Sequence, residues 1–116
     1  MITELKENEI FVFGSNLQGH HDGGAAKQAL DQFGAIYGKG VGRQGKCYAI
    51  PTMGGLIEMH QYIIDFKEYA VLRPDLTFLL TPIGTGIASY SPESIAPMFK
   101  DTPNNVVLPK EFKEQL

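Results

Sequence analysis

The sequence has one cysteine, few positive charges and no long apolar run, and each shortage removes a class of protein. Cys47 has no second thiol within the chain, so no internal disulfide staples the fold. It sits in the run Cys47-Tyr48-Ala49-Ile50, where a small apolar side chain in a buried strand is the fitting role; a nucleophile needs a reachable thiolate. Ten Lys and Arg against 13 Asp and Glu give a net charge of −3. A chain of that balance does not neutralise a row of nucleic-acid phosphates, and no nucleic-acid groove is expected. No apolar stretch approaches the ~20 residues of a membrane span. Residues Met1 to Glu9 are polar and acidic where an export signal needs a basic start and an apolar stretch, so a cytoplasmic protein without membrane contact is expected. Internal repeats and low-complexity segments are missing as well.

What is present is an ordinary globular composition and 13 glycines gathered into a few loops. A length of 116 residues suits one domain, residues 1–116, with one core. Glu9 to Phe13 reads as a buried strand closed by Gly14. From Gly24 to Phe33, apolar residues at Ala25, Ala26, Ala29, Leu30 and Phe33 have helical spacing, and Gly34 stands at the C-terminal cap position. Tyr37 to Lys46 is a glycine-rich, basic connection. Cys47 to Ile50 is a second strand that stops at Pro51, which has no N–H to give a ladder. Met59, Tyr62, Ile63, Phe66, Tyr69 and Ala70 mark an amphipathic helix over Glu58 to Leu72. Leu76 to Leu80 is a third strand. Ser91, Pro92 and Glu93 open a helix expected to run to about Lys100. Val106 to Leu108 is a last strand before a charged tail. Strands alternating with helices predict an α/β fold, a three-layer α/β/α arrangement with a mostly parallel sheet.

In such a sheet ligands bind beyond the carboxyl ends of the strands, and the glycine-rich loops after all three main strands lie at that edge. The first comprises Gly14, Ser15, Asn16, Leu17, Gln18, Gly19, His20, His21, Asp22, Gly23 and Gly24 and leads straight into the helix beginning at Ala25. A helix start presents unpaired N–H groups and partial positive charge, and glycines let a phosphate approach them. The third-strand loop, Ile83-Gly84-Thr85-Gly86-Ile87, adds flexible backbone donors and a hydroxyl, and two such loops can pinch a pyrophosphate. Asn16 suits the hydroxyls of a ribose, or an Asx-turn that shapes its own loop. Adjacent histidines in a loop rarely aim at one ion, and no further ligand cluster supports His20 and His21, so no metal is expected. Asp22 or a histidine can orient a ribose or act as a general base, or simply be solvated. Tyr90 and Phe13 can pack against an adenine or a ribose, although core packing ranks first for both. His60 falls on the polar side of its helix. Arg43 and Lys46 either lend charge to a phosphate or solvate a loop.

Ile10 to His20 (Ile-Phe-Val-Phe-Gly-Ser-Asn-Leu-Gln-Gly-His), then Gly23-Gly24-Ala25-Ala26, Tyr48-Ala49-Ile50-Pro51-Thr52 and Thr81-Pro82-Ile83-Gly84-Thr85-Gly86-Ile87 before Ser91-Pro92, resemble macro domains in order and spacing over nearly the whole chain. The nearest branch is similar to a small, phage-associated macro-like family. More distant likeness is to terminal ADP-ribose protein glycohydrolases and DNA ADP-ribosyl hydrolases. The resemblance implies an ADP-ribose-class nucleotide as ligand, Asn16 near the distal ribose, the two glycine loops around the diphosphate, and Thr52 at the closing strand end. Two departures bear on catalysis. Where the glycohydrolase branch carries a lysine after the second strand this chain has Met53, and where it carries an aspartate after the Gly-x-Gly loop this chain has Ala88. Neither can do the expected chemistry. The chain is also shorter than usual macro domains, so the adenine side of the pocket is either reduced or completed by a second subunit in a homo-oligomer.

The preferred reading is a module that holds ADP-ribose, or a related cyclic or conjugated NAD-derived nucleotide, without efficient turnover. In a phage such a pocket would sequester a host defence signal, an anti-defence role. No cofactor is implied. The alternatives are a hydrolase that removes ADP-ribose from protein, nucleic acid or a small molecule, using Asp22, His20 or His21 with a water positioned by Asn16, and an interaction domain that binds no nucleotide.

Overall fold

The structure is a computed structural model and describes residues 2–116. The strands are β1 (Glu9–Ser15), β2 (Gly42–Gln44), β3 (Cys47–Pro51), β4 (Thr77–Leu80) and β5 (Val106–Val107). The helices are α1 (Gly24–Gln32), α2 (Leu56–Leu72), α3 (Pro92–Ile95) and α4 (Lys110–Lys113), with a 3₁₀ turn at Ala96–Phe99. The strands form one sheet in the order β2-β3-β1-β4-β5, parallel except for β2, which runs antiparallel to β3. The chain is thus an α/β protein of three layers with a mostly parallel sheet, as the alternation of strand and helix patterns predicts.

Period-two alternation explains why the central strands are apolar throughout. Ile10 and Val12 of β1, Tyr48 and Ile50 of β3, and Phe78 and Leu80 of β4 face one cluster with Met59, Ile63, Phe66 and Ala70 of α2. Phe11 and Phe13 of β1 and Cys47 and Ala49 of β3 face the opposite cluster with Ala26 and Ala29 of α1 and with Phe33 just beyond it. Both faces of β1 and β3 are covered, so neither strand carries a polar row. Helix α1 ends as its sequence predicts: Gly34 takes φ +84, and the N–H groups of Phe33 and Ala35 close onto the Ala29 carbonyl at 2.9 and 3.1 Å.

Three segments differ from the sequence reading. The glycine-rich connection contains β2, joined to β3 by Gly45 and Lys46, with Gly45 at φ +55 in the first connecting place, where a II′ hairpin turn puts glycine. The helix expected from Pro92 to Lys100 is α-helical for only four residues before tightening to 3₁₀. The break follows from Pro97, which has no N–H to return to the carbonyl four residues back. The charged tail is not wholly solvated: it forms α4, which buries Phe112 against Phe99 with ring centroids 5.7 Å apart. Among the described residues, no helix is long and apolar enough to cross a membrane.

Candidate functional site at the carboxyl edge of the sheet

The register brings the ends of β1 and β3 abreast, with β4 ending three residues short of them. Ser15 at the end of β1 lies beside Pro51 of β3, and Val12 lies beside Leu80 of β4. The chain leaving each strand is tied to β1: Thr52 donates its N–H to the Ser15 carbonyl (2.9 Å), and Thr81 donates both N–H (3.0 Å) and hydroxyl (2.8 Å) to the Val12 carbonyl. These ties open a cavity of about 710 Å³ at the sheet edge. That volume falls in the range of small-ligand sites, roughly 300–1,000 Å³.

Most of the residues singled out in the sequence meet there. Gly14, Ser15, Asn16, His20, Asp22, Gly23, Gly24 and Ala25 from the loop after β1, Thr52 and Met53 after β3, and Gly84, Thr85, Gly86, Ile87 and Ala88 after β4 line it together. Seven lie elsewhere. Gly19 takes φ +70 in the turn, with the Gly38–Lys39 backbone where a Cβ would be. The His21 ring is buried with its Nε2 3.0 Å from the Lys39 carbonyl, which can only accept, so Nε2 carries the proton; Nδ1 has no partner. Tyr90 packs half-buried against the α2-side core and gives its N–H to the Gly84 carbonyl at 2.9 Å. Phe13 is core, His60 is exposed, Arg43 donates to the Tyr69 hydroxyl and the Gly45 carbonyl, and Lys46 donates to the Lys6 carbonyl.

The side-chain donors of the cavity are largely engaged within the protein. Asn16 gives one amide hydrogen to the His20 carbonyl (3.1 Å) and accepts the His20 N–H (2.8 Å), so the loop-shaping role is fulfilled while a second amide hydrogen stays free. Ser15 donates to Gly40, Thr52 to Ser15, and Thr85 to Pro82. The backbone is the reverse. Gly24, Ala25 and Ala26 at the start of α1, and Gly84, Gly86 and Ile87 in the loop after β4, have N–H groups with no partner among the described residues. Among the described residues, no Lys or Arg lines the cavity, and its only titratable side chains are His20 and Asp22. Without Lys or Arg, anion attraction there has to come mainly from backbone dipoles.

One wall depends on a residue that the sequence pattern does not single out. Tyr37 donates its hydroxyl to Asp22 Oδ1 at 3.0 Å and stacks on the His20 ring at 5.6 Å. The hydrogen bond to the Asp22 carboxylate is the main cause that raises the Tyr37 phenol above its ordinary pKa, with desolvation second. The Tyr37 loop is itself held by Gln44, whose amide accepts from Ile36 N–H (2.7 Å) and donates to the Lys39 carbonyl (3.0 Å). A polar side chain just before a Gly-x connection is the available signal for this strut.

The glycines separate into those the protein needs for itself and those it does not. Of the 13, eight have positive φ, and a Cβ at Gly14, Gly40 or Gly54 would press on neighbouring atoms. Only Gly23 and Gly86 have neither a positive φ nor any atom within 4 Å of the place a Cβ would take, and both line the cavity. Among the described residues, no group of three or more His, Cys, Asp or Glu side chains is placed to hold a metal ion. No protein-family model, curated protein or solved structure matches the chain.

Proposed function

We propose that the chain binds a nucleotide of the ADP-ribose class, its diphosphate lying between the start of α1 and the Gly84–Ile87 loop, and that it holds this ligand without efficient turnover. The observation that carries the reading is the pair Gly23 and Gly86: neither backbone angle nor neighbouring atoms call for glycine at either position, and both line the cavity. A ligand that must touch the backbone supplies the reason, because a side chain there would stand between it and the free N–H groups. The absence of lysine and arginine favours a ligand whose charge is met by several N–H groups over one needing a single ion pair.

Turnover is disfavoured by the lining at two positions that the macro-domain resemblance marks as chemical: Met53 and Ala88 both border the cavity and neither carries a proton-transfer group. A protein that holds such a nucleotide intact sequesters it. The hydrolase reading keeps one supporting observation, the Asp22 carboxylate fixed by Tyr37 at the cavity wall. Binding is tested by titrating ADP-ribose into the wild-type protein and Gly86→Val. The added side chain enters open space, so the melting temperature stays close to wild type while affinity falls about tenfold or more. Equal affinity of the two proteins would remove the argument from the glycines.

A further inference from the structure

Asp22 lines the cavity just before α1, and no side chain caps that helix. A carboxylate beside a helix start is favoured by the dipole and by a hydrogen bond to the free N–H groups of the first turn. The Asp22 carboxylate does not take that place. Its Oδ1 accepts the Tyr37 hydroxyl at 3.0 Å, and its Oδ2 has no hydrogen-bond partner among the described residues. The cations of the two segments that frame it are committed elsewhere as well: Lys27 of α1 pairs with Asp31 at 2.8 Å, and Lys39, just after Tyr37, donates to the Arg43 carbonyl at 3.1 Å.

Asp22 therefore brings an unpaired negative charge to the cavity, the wrong sign for a diphosphate, so it answers to another part of the ligand. Aromatic rings stand beside it. His20 lines the cavity and stacks on the half-exposed Tyr37, with ring planes 16° apart. Ring faces next to a carboxylate favour a flat cation, the rings through cation–π attraction and the carboxylate through charge. The position along the ligand agrees. Two residues of chain reach at most ~7 Å, which sets Asp22 about one sugar away from the N–H of Gly24, where the diphosphate is proposed to lie.

We propose that the nucleotide held here carries a flat cationic ring on the ribose beyond its diphosphate, received by the His20 and Tyr37 rings and the Asp22 carboxylate. The ligand is then a pyridinium nucleotide, for which oxidised NAD is the probe. Asp22 selects the charge, and Tyr37 is a positioning residue that holds the carboxylate away from the start of α1. The inference rests on the reading of the main cavity as the nucleotide site.

The test is calorimetric titration with oxidised NAD, reduced NAD, whose ring is neutral, and ADP-ribose, which has no ring at that place. Wild type is expected to bind oxidised NAD about five- to tenfold tighter than reduced NAD, the scale of an exposed cation–π contact and ion pair together. Asp22→Asn, at an exposed position, is expected to bring the two within about twofold of each other and to bind ADP-ribose more tightly than wild type, because an amide no longer repels the diphosphate. Tyr37→Phe keeps the ring and releases the carboxylate, and is expected to lower the preference. Binding by wild type with no preference for oxidised over reduced NAD, or a preference that survives in Asp22→Asn, overturns the cationic subsite and leaves the main cavity intact. Failure of wild type to bind any of the three overturns the reading of the main cavity, and the subsite with it.

Discussion

Gly23 is the N-cap of α1, yet it has no side chain with which to cap it, and its backbone is extended at φ −160, a conformation open to any residue. For stability alone an aspartate or serine is better there, since its oxygen would take one of the free N–H groups. On the proposed reading, the position trades helix stability for open donors. Gly23→Asp is expected to raise stability by about 0.5 kcal/mol through the cap and the dipole, and to abolish nucleotide binding by placing a carboxylate where the phosphate belongs. Denaturant melts and titration of the same preparation read both effects. Cys47 is a residue of the opposite kind, fully buried in the core. Burial pushes its thiol up to about 12 from 9.0, with Arg43 opposing slightly. A raised pKa on a group neutral when protonated means that its contribution is complete below about 9 and is lost as pH rises toward about 12. Wild type should accordingly lose more stability than Cys47→Ala across that window, as measured by urea midpoints.

At the level of elements, the sequence is most legible where one periodicity runs unbroken. β1, β3, β4, α1 and α2 lie within a few residues of their predicted spans, because alternation in the strands and helical spacing in α2 agree with the faces they bury. It is least legible where a local feature overrides the pattern. Pro97 cuts short the helix that Ser91 and Pro92 open, and three residues are too few for β2 to show a period of its own. α4 reads as a charged tail because its single apolar contact, Phe112, stands among Lys110, Glu111, Lys113 and Glu114. That contact is nevertheless central: Phe112 is fully buried and stacked on Phe99. Phe112→Ala is expected to cost about 3–5 kcal/mol, seen as a large fall in denaturation midpoint, even though the residue lies close to the chain end.

Over the whole molecule, the meeting of the glycine-rich loops at one cavity is legible for a topological reason. A parallel sheet sends the loops after its strands to one edge, so glycines separated by some sixty residues in sequence are assigned to one place by the order of elements alone. What the sequence does not provide is the strut behind them. Tyr37, Gln44 and the buried His21 carry no motif, and their roles depend on two loops crossing, with His21 bonded to Lys39 and Tyr37 to Asp22. Nor does it separate glycines that the fold needs from glycines that it leaves open, a distinction made only by φ and by neighbouring atoms.

That distinction gives the central claim, a diphosphate held by open backbone at the carboxyl edge. Isothermal titration of the protein with ADP-ribose, followed by chromatography of the recovered ligand, tests it most directly. The account predicts saturable binding at one site per chain with the ligand returned intact. Ligand returned cleaved would move the assignment to a hydrolase using Asp22, and no heat together with no thermal stabilisation would contradict the nucleotide reading.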